Sequence, residues 1–282
     1  MIDLLKNFIR PILKKIRIYD FVYNRSFLLL GTWYKYTNII KRKIHKTAVI
    51  LTYHRIDDVL DDPHLLCVTP QNFENHLQFL KKNYEVISLP ELHLRLSNKQ
   101  LTGKEAVITL DDGYLDNYTN ALPLLDKYHM PATIFITTGF LGEKADLDWD
   151  REYRSEDKAT FLNESEIKNL STHTLITIGV HTHKHNRLSE LDYQEQLNEI
   201  KTSKEILENV TGKKINYFAY PFGGIFDFNS DTTNALKTLD FCCSCTTIPM
   251  LVTYKSHKYK LPRVNIRNYP IEIFLEKISY HA

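Results

Sequence analysis

Residues 106–113 read Ala-Val-Ile-Thr-Leu-Asp-Asp-Gly, a short apolar run that ends directly in two carboxylates and a glycine. An apolar run of this length, closed by turn-forming residues, is typical of a buried β-strand. Other apolar runs end in the same way on polar or turn residues: residues 48–53 before His54, residues 177–180 before His181, and residues 217–220 before Pro221-Phe222-Gly223. The sequence therefore predicts strands whose carboxyl ends carry the chemistry.

Helical patterns alternate with these strands along the chain. Helices are predicted at residues 71–83, 114–129, 165–170, 192–210 and 231–239, after Pro90 and from Pro270, and further strands at residues 132–136, 241–247 and 263–266. This alternation favours a parallel α/β sheet, and about seven such units in roughly 235 residues fit a distorted (β/α) barrel. In such a barrel the carboxyl ends of the strands share one rim, where active sites lie.

The composition of the 282-residue chain is that of an ordinary folded protein. Its 43% hydrophobic and 25% charged residues exclude disordered, collagenous and disulfide-stapled classes. The four cysteines include a formal C-x-x-C from Cys242 to Cys245, without a second pair at zinc-finger spacing. We interpret them as small buried hydrophobic residues of a strand, with a redox or metal role as the alternative.

Charge is unevenly distributed between the two ends of the chain. Residues 1–46 hold eleven basic and two acidic residues, a net +9, which leaves −7 for the remainder of a chain whose total is +2. We therefore divide the chain into a basic N-terminal extension, residues 1–46, and a catalytic domain, residues 47–282. The small total charge and the lack of a nucleic-acid-binding signature argue against a nucleic-acid partner.

The extension has apolar residues at helical spacing with lysine and arginine between them. The apolar positions are Leu4, Leu5, Phe8, Ile9, Ile12, Leu13 and Ile16. This pattern predicts an amphipathic helix that either lies on an anionic membrane surface or covers the barrel. Without a span of about 18 apolar residues or a secretory signal pattern, we expect a cytoplasmic protein, with peripheral contact at the inner face of the membrane as the further option.

Two polar clusters have the residue types of a metal site. Asp111 and Asp112 leave a strand side by side, so their side chains point in different directions, and one can bind a cation while the other faces a substrate. His181 and His185 follow another strand end, and with one Asp they would form a His₂Asp set that leaves positions open. Such ligands suit one divalent ion, Zn²⁺ first, with Co²⁺, Ni²⁺, Mn²⁺ or Fe²⁺ as alternatives. The alternatives without a metal are that Asp111-Asp112-Gly113 is only a turn and that residues 181–185 are only a polar surface loop.

Three motifs carry a resemblance to a known family. Residues 109–113 resemble the T-F-D-D-G motif of the polysaccharide deacetylases, carbohydrate esterase family 4, which are built on the NodB-homology domain. Residues 181–185 resemble the H-[ST]-x-x-H motif, and residues 220–223 are similar to the end of the R-x-P-[YF]-G motif. The resemblance covers roughly residues 47–268. It implies a NodB-type barrel that hydrolyses the N-acyl group, most often N-acetyl, of an amino sugar.

The same resemblance implies roles for individual residues. Asp111 would be the general base, and Asp112, His181 and His185 would be the metal ligands. The backbone N–H of Phe222 would hold the oxyanion that develops on the carbonyl oxygen.

The chain departs from the family pattern at two positions. Ala219 stands where the third motif has an arginine that orients the base. We expect Arg263 to replace that arginine by pairing with Asp111, the alternative being a surface or structural ion pair.

The family's C-terminal catalytic histidine also has no counterpart. Residues 51–54, Leu-Thr-Tyr-His, instead resemble the L-x-Y-H motif of a rearranged branch that includes poly-N-acetylglucosamine de-N-acetylases. In that branch the N-terminal histidine is the general acid, so His54 is the candidate here, against the alternative of a buried core histidine.

The substrate stays open at the level of sequence. An N-acylated amino sugar can belong to a polysaccharide or to a lipid-linked or nucleotide-linked intermediate of lipopolysaccharide, capsule or exopolysaccharide assembly. Removal of a formyl group from a lipid-linked amino sugar, and an inactive carbohydrate-binding relative, are the competing hypotheses. The sugar, its linkage and the oligomeric state are not encoded in any motif that we recognise.

Overall fold

A parallel sheet runs through the centre of the computed structural model, which describes residues 46–142 and 159–280. The strands are β1 (Val49–Tyr53), β2 (Arg55–Ile56), β3 (Cys67–Val68), β4 (Glu85–Val86), β5 (Glu105–Leu110), β6 (Ala132–Ile136), β7 (Ile176–Val180), β8 (Tyr217–Ala219), β9 (Cys243–Cys245) and β10 (Val264–Asn265). The helices are α1 (Pro70–Asn83), α2 (Leu89–Ser97), α3 (Leu122–Tyr128), α4 (Glu164–Thr172), α5 (Tyr193–Thr211), α6 (Ser230–Thr238) and α7 (Ile271–Tyr280).

Seven of the strands follow one another in the order β10-β1-β5-β6-β7-β8-β9, and β4 adds to β5. The segment from residue 258 to residue 265 brings the two outer strands of this order together. Its first half hydrogen-bonds to β9 through Ser244 and Thr246, and its second half pairs with β1, where Leu51 lies opposite Val264. The sheet therefore curls into a distorted (β/α) barrel, as the sequence predicted.

The strands β1, β5 and β6 are buried along their whole length because side chains on both of their faces are covered. The side chains on one face pack under the helices. Those on the other face fill the barrel interior, where Phe135 is the largest apolar side chain. Gly179 on the neighbouring strand makes room for this ring, since a Cβ at that position would lie 2.4 Å from the ring. Cys243 and Cys245 are buried beside it in the same cluster, in agreement with the interpretation of these cysteines as hydrophobic.

Helix boundaries follow local capping signals. The side chain of Asp192 caps α5 and forms a reciprocal capping box with Glu195, and Thr69 caps α1 directly before Pro70. Gly212 ends α5 in the left-handed conformation, which glycine adopts without a Cβ penalty. These contacts explain why the predicted helices lie within one to three residues of the observed ones.

The helix predicted at residues 114–129 is different in the structure. Residues Asn117–Ala121 form a π-helix, and regular α-helix begins only at Leu122. Pro123 has no N–H and its ring crowds the preceding turn, so a wider turn before it is favoured over a regular one. The change of helical register matters for the site, because it turns Asn117 and Asn120 toward the segment after β1.

The predicted N-terminal extension lies outside the described residues, apart from Lys46. Its helical form and the domain boundary at residue 46 therefore stay predictions. Within residues 46–142 and 159–280, none of the helices is both long enough and apolar enough to cross a bilayer.

His76 ties α1 and the C-terminal helix to the first strand. Its Nε2 donates to the carbonyl of Tyr269 over 2.8 Å, and its ring stacks on Phe274 with centroids 4.0 Å apart. The hydroxyl of Tyr53 lies 3.4 Å from the other ring nitrogen. Full burial lowers the pKa of His76 to about 4, because the protonated ring would lose its hydration.

We expect His76 to make the fold less stable in acid. Between pH 6.5 and about 4 the unfolded chain binds a proton at His76 and the folded chain does not. The free energy of unfolding therefore decreases as the pH is lowered through this range, by about 3 kcal/mol in total. Urea titrations of the wild type and of His76→Gln across this range measure the effect. The variant should show a fall smaller by that amount; parallel curves would contradict it.

Candidate active site

Three buried side chains converge where β5 and β7 end. Asp112 follows β5, and the histidines lie in the loop after β7; Oδ1 of Asp112 is 3.3 Å from Nε2 of His181 and 3.3 Å from Nε2 of His185. One ligand atom from each of the three residues lies within 4.8 Å of the other two, and within the described ranges this is the cluster that could hold a metal ion. The structure thus brings together the three residues to which the resemblance assigned the metal.

The cluster fits a cation better than it fits a hydrogen-bond network. Oδ1 of Asp112 is buried and has no hydrogen bond of acceptable geometry, although two imidazole nitrogens face it. Nδ1 of His181 donates to the carbonyl of Ala219 over 2.8 Å, which leaves the lone pair on Nε2, the atom that points at the carboxylate. Burial alone would raise the pKa of Asp112, but the imidazoles of His181 and His185 hold it well below its usual range.

Several site residues have a left-handed backbone that residues other than glycine rarely adopt. The φ angles are +73° at Asp112, +64° at Thr182, +59° at His185 and +60° at Phe222. Each costs roughly 1–2 kcal/mol, and Thr182 is the most unusual because its side chain is β-branched. Thr182 is held by its contacts, since its hydroxyl accepts from the N–H of His185 and its carbonyl accepts from that of Thr138. Such strain concentrates at functional sites.

Asp111 is paired with Arg263, a fully buried arginine that directly precedes the last strand, β10. Nη1 and Nη2 of Arg263 lie 2.7 Å from the two carboxylate oxygens of Asp111, and the guanidinium also donates to Thr109 and to the carbonyl of Thr246. Burial would raise the pKa of Asp111, but the charge of Arg263 and then that of His181 lower it. The structure therefore has the expected ion pair in place of the family's arginine, and Asp111 is ionised at neutral pH.

His54 leaves β1 at the same rim and is half-buried. The residue before it, Tyr53, lies opposite Leu110 in the sheet and accepts from the N–H of Asp111 over 3.0 Å, so His54 leaves the sheet beside the two carboxylates. Its backbone is fixed by Asn117, whose side-chain amide donates to the carbonyl of His54 over 2.8 Å. His54 therefore follows β1 on the rim that also carries the Asp112-His181-His185 cluster, and its role as general acid stays a prediction.

Phe222 lies in the loop after β8 and borders the cluster through His185. Its ring packs edge-to-face on His185 with centroids 5.0 Å apart, and Arg187 lies 4.5 Å from the centre of the same ring. The hydroxyl of Thr247 donates to the carbonyl of Phe222. The role of the Phe222 N–H in binding an oxyanion stays a prediction.

Sequence reasoning missed the residues that hold the segment after β1. Asp116 accepts from the N–H of Ile56 over 2.9 Å and from Nε of Arg55 over 3.1 Å. Because Asp116 and Asn117 follow the Asp-Asp-Gly turn by a few residues, one short stretch of chain supports both His54 and the carboxylates. The sequence does contain a signal for this role, since Asp116 and Asn117 are adjacent polar residues near the start of the amphipathic pattern at residues 114–129.

Comparison with known proteins agrees with this geometry. Residues 98–243, just over half of the chain, match the family model of the polysaccharide deacetylases. The chain belongs to the polysaccharide deacetylase family. Members of this family are metal-dependent hydrolases that act on N-acetylated sugars, which agrees with the activity that the motifs implied.

Individual relatives cover most of the chain. YxkH of Bacillus subtilis, assigned to the polysaccharide deacetylases, is 32% identical over 219 residues, which are 77% of this chain and 70% of that protein. The poly-β-1,6-N-acetyl-D-glucosamine N-deacetylase of Staphylococcus epidermidis is 27% identical over 253 residues, 82% of this chain and 83% of that protein. The structure of the Streptococcus pyogenes deacetylase PplD in complex with acetate superimposes with a TM-score of 0.68 at 25% identity, over 83% of this chain and 97% of that one.

Proposed function

We propose that this deacetylase removes N-acetyl groups from an N-acetylglucosamine polysaccharide. The observation that carries the proposal is the buried Asp112-His181-His185 cluster beside an arginine-paired Asp111. The relative from Staphylococcus epidermidis is a poly-β-1,6-N-acetyl-D-glucosamine N-deacetylase, which supports the polymer, and the acetate bound to PplD is the acid that an N-acetyl group yields on hydrolysis. The inactive-relative hypothesis is disfavoured, because three ligand side chains and an ionised carboxylate occur together.

Zn²⁺ is the metal that we assign to the cluster. Two imidazoles and a carboxylate are a donor set that zinc accepts, and Oδ1 of Asp112 lies 3.3 Å from both histidine nitrogens, close enough for these three residues to hold one ion. Two imidazoles and one carboxylate leave a position open, as catalytic zinc sites do. When bound, such an ion polarises an amide carbonyl and acidifies a water molecule.

The chain's own residues supply the proton transfers. Asp111, kept ionised by Arg263, takes the proton from the attacking water. The N–H of Phe222 donates to the oxygen on which negative charge develops. His54 gives a proton to the leaving amine as the C–N bond breaks, so that the products are a free amino sugar and acetate.

Metal removal tests the proposed function directly. A β-1,6-linked N-acetylglucosamine oligomer is incubated with protein stripped by a chelator, and free amines are counted. The stripped protein should release none, and one equivalent of Zn²⁺ should restore the activity. His185→Ala should bind Zn²⁺ at least about 100-fold more weakly, because it removes a direct ligand, and should not be restored.

His183→Ala is the matched control for the metal prediction. His183 stands between the two ligands in sequence, but its Nδ1 contacts the hydroxyl of Thr138 at 3.0 Å, so its loss should leave the metal content unchanged. Full zinc occupancy in His185→Ala would refute the ligand assignment. If the wild type binds zinc but releases no amines from the oligomer, the proposed substrate is wrong.

A further inference from the structure

The loop after β8 exposes a concentration of apolar side chains. Nine large hydrophobic side chains are exposed among the residues that the structure describes, and three of them, Phe222, Ile225 and Phe226, fall within five consecutive positions. Phe226 is 81% exposed and Ile225 is 63% exposed. We call these three side chains the rim platform. Single exposed apolar residues need no explanation, but a group of them indicates a surface that a ligand covers.

The rim platform begins at the candidate metal cluster. The ring of Phe222 packs on that of His185, and Arg187, two residues after this candidate ligand, lies over the other side of the contact, 4.5 Å from the centre of the Phe222 ring. Ser189 continues the contact between the two loops, since its hydroxyl donates to the carbonyl of Phe226 over 2.6 Å. The loop after β7 therefore runs beside the loop after β8, and together they extend the surface from the cluster to Phe226.

Hydrogen bonds hold the backbone of the platform in place. The N–H of Asp227 donates to the carbonyl of Gly224 over 3.1 Å, and the N–H of Gly224 donates to Oδ2 of Asp227 over 2.7 Å, which closes a tight turn at residues 224–227. The N–H of Thr247 donates to the carbonyl of Gly223 over 2.9 Å. The two exposed side chains at the tip of this turn therefore stand on a fixed backbone, and a ligand that binds them does not have to order the loop.

The charges of the two loops that form this surface are balanced. Residues 184–190 and 222–227 hold two basic side chains, Lys184 and Arg187, and two acidic ones, Glu190 and Asp227, so their formal net charge is zero. Arg187 forms ion pairs with both acids. The surface therefore has no net attraction for an anionic lipid bilayer or a nucleic acid. A neutral ligand with apolar faces suits it better.

A saccharide polymer is the neutral ligand that reaches this place. The N-acetyl group that is cleaved must lie at the candidate metal cluster, so the neighbouring sugar units leave the cleft over the rim beside His185. In the chair form of N-acetylglucosamine the axial C–H bonds make both faces of the ring apolar. An aromatic side chain packs on such a face while the hydroxyl and acetamido groups at the edge of the sugar stay in water.

We propose that Ile225 and Phe226 bind the sugar units that adjoin the unit being deacetylated, so that the enzyme selects a polymer over a short saccharide. Neither side chain takes part in the reaction at the amide. Their contribution is to hold the polymer across the rim and so to raise the fraction of enzyme that has substrate bound. This inference rests on the proposed function and names the part of the chain that reads polymer length.

Steady-state kinetics on β-1,6-linked N-acetylglucosamine oligomers, a disaccharide and a hexasaccharide, tests the proposal. The wild type should have the lower KM for the hexasaccharide. In Ile225→Ala/Phe226→Ala that KM should rise by about tenfold and converge on the KM for the disaccharide. The kcat should change by less than about twofold, because the lost contacts are equal in the ground state and the transition state. Phe226→Tyr keeps the aromatic face and should keep the wild-type KM.

The matched control is Leu94→Ala/Ile273→Ala, which removes two exposed aliphatic side chains from α2 and α7 and should leave both KM values unchanged. Equal increases in the two double variants, or an unchanged hexasaccharide KM in the platform variant, would overturn the proposal. In the second case, weaker binding to lipid vesicles or weaker self-association of that variant would identify a lipid or a second copy as the occupant. A wild type that deacetylates neither oligomer would refute the proposed function, and this inference with it.

Discussion

Asp111→Asn should retain its metal and lose amide hydrolysis by about 10²–10⁴-fold, the range that removal of a general base produces. The asparagine amide cannot take a proton from water, yet it has nearly the shape of the carboxylate. The three candidate metal ligands, Asp112 and the two histidines, are unchanged. Metal analysis and amine release on the same preparation separate the two effects. A variant that loses its metal, while Asp112→Asn keeps it, would reverse the roles of the two aspartates.

The buried ion pair complicates this experiment and also supplies its control. Removing the charge of Asp111 leaves Arg263, which is fully buried, without a counterion, and breaking such a pair costs about 3–5 kcal/mol. Part of the loss of activity in Asp111→Asn would therefore come from unfolding of the protein and not from removal of the base. Asp111→Asn/Arg263→Met removes both charges and should recover part of the stability in a urea titration, with activity still absent. Recovery of activity in the double variant would show that Asp111 is not the base.

His54→Ala should lose most amide hydrolysis and retain hydrolysis of an activated ester. The amine leaving an amide must gain a proton as the bond breaks, whereas a nitrophenolate leaves without one, so a missing acid affects only the first reaction. We expect a loss of about 10²–10⁴-fold on the amide and less than about tenfold on the ester. Rates on an N-acetylglucosamine oligomer and on nitrophenyl acetate measure the difference.

The design of this variant rests on the contacts of the His54 backbone. Asn117 holds the carbonyl of His54, and Asp116 holds the next residues, so truncating the imidazole leaves the loop in place. Metal content should equal that of the wild type. Equal losses on both substrates would mean that the truncation disturbs the site as a whole, and no loss on either would leave the proton donor to be found elsewhere.

Most of the fold was predictable because its signals are local. Each main strand is an apolar run and most helices carry a capping residue, and neither depends on distant contacts. The strands β2, β3 and β4 were missed because each has two residues and was not recognised within a longer strand pattern, as β10 was within residues 263–266. The π-helix was missed because a proline at position 123 is compatible with several backbone conformations of the preceding turn. Tertiary contacts select one of these conformations.

The site was predictable where motifs are contiguous and less so where partners are distant in sequence. The candidate ligands Asp112, His181 and His185 come from two motifs at strand ends, and a parallel barrel brings such ends together. From the sequence, Arg263 could be assigned either to a pair with Asp111 or to a surface or structural ion pair. The register that places β10 beside β1 decides between the two, and no local pattern encodes it. The role of the Ala219 carbonyl was invisible, because a backbone acceptor does not depend on the residue type.

The placement of Arg263 sets an order of events during synthesis and folding of the chain. Asp111 emerges from the ribosome 152 residues before its counterion, and β1, which ends at Tyr53, waits still longer for β10, which begins at Val264. A nascent chain that lacks β10 can form the strands from β1 to β9, but it must leave the carboxylate of Asp111 protonated or hydrated. Closure of the barrel and completion of the catalytic centre are therefore one late step, and long-range parallel pairing of this kind is slow. Hydrolysis cannot begin before the fold is finished.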